Sequence, residues 1–308
     1  MGSLARDVLS ARPIHDFERS VFKPIARSSV PPSFSSAVMR ALTQDVKRAL
    51  ASDEASIRAG MEGVWPKAGY RYLHGLIYSG DLNFSNSLSR FPTGRSWMRR
   101  RSSANGYGSL LRDSESPSAL AKMVAEVPEG EKGLAIVLYR RAVSALCSSA
   151  SALLTNTLWL SSPLNPGVPI DNIVLESLRL LPPAWMLRRK ASREYAEIND
   201  AINESDNVFI FPFLIHRNPE AWSSPEVFDP DRWYDIEDPD LLEDYLPFGY
   251  TNNRCWARHL ILQLVKKVLQ EASRIGLSAV EKQGKVKVPL NPLLSISSPK
   301  FRASLNQV

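Results

Sequence analysis

The sequence predicts a mainly α-helical protein with a small β component near its C-terminus. Three observations carry this. Between Glu131 and Leu160 there is no proline, and the only glycine, Gly133, sits near the start. "WARHLILQLVKKVLQEASRI" has amphipathic helical periodicity and stops before Gly276. The tail "KVKVPLNPLLSISSPKFRASL" is broken by prolines into pieces that suit two or three short strands.

Composition bounds the chain before any motif is read. At 308 residues with 44% hydrophobic side chains, it is long enough to bury about 75% of its extended-chain surface in one core. Net charge is +6, which suits an acidic partner, a membrane surface or nucleic acid without choosing among them. No zinc spacing or aromatic-basic interleaving marks a nucleic-acid module, so none is expected as a partner. The two cysteines, Cys147 and Cys255, are too far apart to form a disulfide framework, and a reducing compartment follows as the expectation. "MGSLARDVLSARPIHDF" lacks the apolar run of a signal peptide or membrane anchor. Arg6 also breaks the myristoylation pattern. These features point to a cytoplasmic chain without a transmembrane anchor, folded as one domain over 1–308.

The elements follow in order. "VPPSFSSAVMRALTQDVKRALAS" has a proline-rich entry, a serine cap at Ser35 or Ser36, and then helical periodicity. A helix-rich, loop-broken stretch continues to about Gly130, and within it "SWMRRRSSANGYGS" reads as a basic surface loop. From Glu131 to Leu160 apolar residues occupy nearly every face, the pattern of a buried helix. Arg140, Arg141 and the polar "CSSAS" exclude a membrane span there. "SSPLNPGVP" ends that helix. "IDNIVLESLRLL" begins the next, which Pro182 and Pro183 must stop because neither supplies an N–H. "NVFIFPFLI" reads as a short strand or extended segment, and "HRNPEAWSSPEVFDPDRW" as a proline-studded meander.

Three stretches stand out together. In "ESLRLLPPAW", Glu176 and Arg179 are spaced i,i+3 and leave one helix face. The meander ends in "FDPDRW", which contains Arg232. In "FGYTNNRCWARHL", Cys255 follows a Phe-Gly turn and precedes the amphipathic helix, where N-terminal amides and the helix dipole favour a thiolate. In this order the three stretches resemble the cytochrome P450 family of heme-thiolate enzymes, over about the last 180 residues.

The resemblance implies a P450-like helical fold, a heme b cofactor and Cys255 as the axial iron ligand. Phe248 then packs on the ligand loop and Gly249 permits its turn. Glu176, Arg179 and Arg232 form a structural network that clamps the meander beneath the cofactor. Arg189, Arg254 and, more distantly, Arg27 are the partners implied for the heme propionates. On the long helix the resemblance puts Cys147 where the family carries an acid and Ser148 where it carries threonine, so these two are the distal catalytic candidates. The implied activity is oxygen insertion into a small hydrophobic substrate, with electrons from a ferredoxin or reductase. A peroxide-using, rearranging or coupling heme-thiolate enzyme is the alternative, and a helical interaction protein that has lost heme is a third.

The chain departs from the family pattern in places. Thr251, Asn253 and Ala257 replace two glycines and an arginine of the cysteine loop. The N-terminal sheet region has no visible counterpart. Only "SSPLNPGVPIDN" separates the long helix from the Glu-x-x-Arg helix, so a short or truncated member is expected.

Overall fold

A computed structural model describes residues 1–10, 15–16, 40–47, 132–191, 193–250, 254–255, 257–279, 286–287, 293–296 and 301–302. The expected serine cap at Ser35 or Ser36, the basic loop around Arg99 to Arg101 and the propionate candidate Arg27 lie outside these residues. Residues 40–47 are helical, as the periodicity there predicts.

Helix α1 spans Gly2–Ser10 and strand β1 His15–Asp16. The long helix α2 runs Lys132–Leu160, within one residue of the proline-free stretch that predicts it. Its 29 residues extend about 43 Å at 1.5 Å per residue, enough to cross the whole core. Leu153, Leu154, Thr155, Asn156 and Thr157 are all sealed, so successive faces of the helix meet protein. Helix α3 is Ile170–Leu180, and Leu181 N–H closes its last turn on Ser177 O immediately before the two prolines. Strands β2 (Leu187–Lys190) and β3 (Asn207–Ile210) pair antiparallel with Arg188 opposite Phe209. β1 joins the other edge of β2, so the N-terminal segment contributes to this three-stranded sheet.

"NVFIFPFLI" is not extended throughout. β3 ends at Ile210, and Pro212 starts a helical turn, α4, over Pro212–Ile215. A proline at the first helical position gives up no hydrogen bond and already has helical φ, which explains the switch. The meander follows, with single 3₁₀ turns at Pro230–Trp233 and Pro239–Leu241, each capped by the preceding aspartate, Asp229 or Asp238. Helix α5 is Arg258–Arg274. The tail supplies β4 (Ser278–Ala279), β5 (Val286–Lys287), β6 (Ser295–Ile296) and β7 (Phe301–Arg302), paired β4 with β7 and β5 with β6.

The main core forms where α2, α3 and α5 pack together. Leu146, Leu153, Val174, Leu178, Leu264, Val265 and Val268 are among its buried members. A second cluster seats α1 against the sheet and meander through Ala5, Val8 and Leu9 packed with Tyr195, Ile210, Ile215 and Leu246. Gly2 makes that docking possible. A Cβ there would lie 2.2 Å from Glu243 O, and its N–H donates to Asp244 Oδ1 at 3.1 Å. Arg6 donates to the carbonyls of Asp240 and Leu242, and its guanidinium lies 4.4 Å from the Tyr250 ring centroid. No described helix is long and apolar enough to cross a membrane.

Candidate functional site

α3 presents Glu176 and Arg179 on one face, and the meander wraps that face. Arg179 Nε donates to Glu176 Oε2 at 2.9 Å and Nη2 to Oε1 at 2.8 Å. Its remaining N–H groups donate to the carbonyls of His216, Pro225 and Val227 at 3.0, 2.7 and 3.0 Å. Each guanidinium donor therefore has an acceptor, the condition under which an arginine tolerates complete burial. The carboxylate is as fully used. Oε1 also accepts from Asp229 N–H at 2.9 Å and Arg232 Nε at 3.2 Å, and Oε2 from Trp233 Nε1 at 3.0 Å. The three residues expected to form a network are brought together. Sequence spacing gave no sign that three of the meander's six bonds to this pair are made by backbone carbonyls.

Aromatic rings close this network from solvent. Trp233 stacks obliquely on Trp222 and Tyr245, with centroids 5.6 and 4.9 Å apart. Arg179 lies over Trp222, its Cζ 5.3 Å from the ring centroid. Burial and the Glu176 carboxylate push the Tyr245 hydroxyl well above its ordinary pKa, and it donates to Leu175 O at 3.1 Å.

The cysteine loop rises from this base. Gly249 N–H closes a turn on Leu246 O, and Gly249 adopts φ 79°, a left-handed conformation that favours glycine. The chain then returns, and Cys255 N–H donates to Phe248 O at 2.7 Å. Phe248 and Cys255 are both half-buried and pack against the main core. Two residues on, Ala257 is the N-terminal flanking residue of α5 at φ −90°, so this site, glycine in the family pattern, does not require one here. Residues 251–253 and Trp256 lie outside the described residues.

The other candidates occupy different settings. Arg189 is buried on β2 and donates to Arg188 O at 3.0 Å. Arg254 is engaged by Asp240 of the meander, with Nη1 2.8 Å from Oδ2. On α2, Cys147 is completely sealed within the core, and burial pushes its thiol far above the usual range. Ser148, its neighbour, is half-buried. The two cysteines thus have opposite environments: one is an inert core residue, the other stands on a turn at a helix entrance.

The donor set suits an iron porphyrin. Among the described residues no group of three His, Cys, Asp or Glu side chains could hold a bare metal ion. A porphyrin supplies four ligands of its own and asks the protein for one strong axial donor, such as a thiolate. Cys255 fits that requirement and Cys147 does not.

Two buried groups had no sequence signal of their own. Asn156 of α2 donates to Leu181 O and Leu294 O and accepts from Ile296 N–H at 2.9, 3.1 and 3.0 Å. It ties the long helix both to the end of α3 and to β6. His216, the first residue of the meander, bonds through both ring nitrogens.

Residues 170–260, from the start of α3 to the first turn of α5, match the family model "Cytochrome P450". This stretch, under a third of the chain, is similar to the cytochrome P450 family. Cyclooctatin synthase of Streptomyces melanosporofaciens is 35% identical over 86 residues, which span 28% of this chain and 19% of that protein. Cytochrome P450 3A30 of Fundulus heteroclitus is 35% identical over 105 residues, 33% of this chain and 21% of the relative. The matched stretch is therefore about a fifth of each curated relative. The crystal structure of a cytochrome P450 from the archaeon Picrophilus torridus superposes with a TM-score of 0.69 at 13% identity, covering 98% of this chain and 96% of that one. The P450 fold expected from the motifs is the fold observed.

Proposed function

We propose that this chain is a single heme b-binding unit that oxidises a small hydrophobic organic molecule by inserting oxygen. One observation carries the reading: Cys255 stands on a tight, core-packed turn at the entrance of α5, at the end of a meander that the buried Glu176–Arg179 pair tethers to α3, while Cys147 is sealed in α2. A heme with a thiolate ligand supplies oxidising iron chemistry in which electron density from sulfur favours O–O cleavage. The protein residues have separate roles. Cys255 provides the thiolate, which the N-terminal end of α5 stabilises. The Phe248 carbonyl takes the Cys255 N–H and so sets where the sulfur points. Arg189, and Arg27 from outside the described residues, offer positive charge for the propionates. Arg254 braces the cysteine loop through Asp240. Ser148 of α2 would offer a hydroxyl able to donate a hydrogen bond and to hold a proton for the reaction.

Electrons would come from an acidic ferredoxin or a reductase, to which a chain of net charge +6 is electrostatically suited. The test is isotopic. With reductase, NADPH and ¹⁸O₂, product should carry one labelled oxygen atom per turnover, whereas unlabelled product would exclude oxygen insertion.

A second reading, a peroxide-using or rearranging enzyme, is favoured by Cys147. The residue aligned with the family's acid is a sealed, neutral thiol that cannot shuttle protons at neutral pH. Turnover with hydrogen peroxide that exceeds reductase-driven turnover would select this reading.

A further inference from the structure

His216 is completely buried where α3, the meander and the cysteine loop meet. On one side its Nδ1 lies 3.2 Å from both Leu178 O and Arg179 O. These carbonyls need an outside donor. In a continuing helix their partners would be the N–H groups four residues on, but those positions are Pro182 and Pro183. On the other side Nε2 lies 2.7 Å from Leu246 N. A backbone N–H can only donate, so Nε2 is the bare nitrogen and Nδ1 carries the hydrogen. The ring is therefore a neutral imidazole in one tautomer, its single N–H shared by the two helix-end carbonyls. Its own carbonyl accepts from Arg179 Nη1, which fixes the backbone of the same residue. Leu246 in turn begins the loop: its carbonyl accepts from Gly249, and two residues on Phe248 O accepts from Cys255.

We propose that His216 is a positioning residue for the thiolate: its imidazole fastens the end of α3 to the first residue of the cysteine loop and so sets the height and direction of Cys255 toward the iron. This rests on the heme-thiolate reading above. Among the described residues, the charged groups that act on the ring are Arg179 of α3 and Arg217 beside it, and the Tyr245 ring centroid is 5.2 Å away. None of them can replace a bond to Leu246 N–H.

Two amide substitutions separate the ring's two ends. In His216→Asn the carboxamide stands near Nδ1 and can serve the α3 carbonyls but falls short of Leu246. In His216→Gln the carboxamide oxygen reaches the Nε2 position and keeps the bond to Leu246. The ferrous carbon monoxide spectrum of heme-loaded protein reports thiolate against neutral-thiol ligation. At matched melting temperature, Asn should show a several-fold larger neutral-thiol fraction than Gln. Equal fractions in the two variants, beside a normal wild-type spectrum, overturn the positioning role alone. A wild type with no thiolate band overturns the heme-thiolate reading and this role with it. If neither variant folds, the wild type still decides. Ring ¹⁵N shifts should show the neutral Nδ1–H tautomer, and the Leu246 amide should exchange as slowly as the α5 core. An Nε2–H tautomer or a fast-exchanging Leu246 amide overturns the proposal.

Discussion

Glu176 and Arg179 meet in a two-point ion pair, 2.8 and 2.9 Å across, and neither side chain has exposed surface. Because every donor and acceptor of the pair is used, removing part of it leaves buried charge. Arg179→Lys should cost about 3–5 kcal/mol or abolish folding, since one ammonium cannot serve two carboxylate oxygens and three carbonyls. Arg232→Ala, which removes one of several bonds to Glu176, should cost less, about 1–3 kcal/mol. Urea unfolding of both variants checks the order, and equal losses would contradict it.

Acid stability should depend on His216. Burial lowers its pKa from 6.5 to about 3, with Arg179 and Arg217 nearby adding to the effect. In the unfolded chain the ring takes up a proton near pH 6.5, so the unfolded state binds more protons below that pH. The stability this neutral ring contributes is whole above about pH 6.5 and is lost as pH falls toward 3, at up to ~1.4 kcal/mol per pH unit. Unfolding free energies of wild type and His216→Gln, measured from pH 7 to 4, should converge as pH falls. Parallel curves would mean that the histidine is not buried neutral.

Asn156→Ala should lose stability well beyond its small change in volume. It strands two carbonyls and one N–H in the core, each worth about 1–3 kcal/mol. Hydrogen exchange at Ile296 should quicken in this variant. Unchanged exchange there would show that β6 does not depend on α2.

Cys147→Ala should leave any heme spectrum intact. Cys147→Asp should destabilise the protein by burying a carboxylate that raises its own pKa, without increasing product formed per electron consumed. A folded Asp variant with improved coupling would show that position 147 opens to the distal side.

Much of the scaffold was legible because its signals are local. The bounds of α2 and α5 follow from proline-free apolar periodicity, and the Glu176–Arg179 pair from i,i+3 spacing. The strand-to-helix switch at Pro212 was not legible, because a proline in an apolar run marks a break but leaves the conformation beyond it open. Helix α1 escaped notice because it is held by residues of the meander more than 230 positions away. Asn156 and His216 make contacts 25 to 140 residues distant, which no periodicity reports. One clue was available for His216: two prolines after α3 leave two carbonyls in need of a donor from elsewhere.

The central claim is that Cys255 ligates a heme iron, and one spectrum tests it most directly. Reduced, heme-loaded protein exposed to carbon monoxide should give the strongly red-shifted Soret band of a thiolate ligand. Cys255→Ala should abolish that band while Cys147→Ala retains it. A thiolate band that survives in Cys255→Ala, or a wild type that takes up heme without one, would contradict the account.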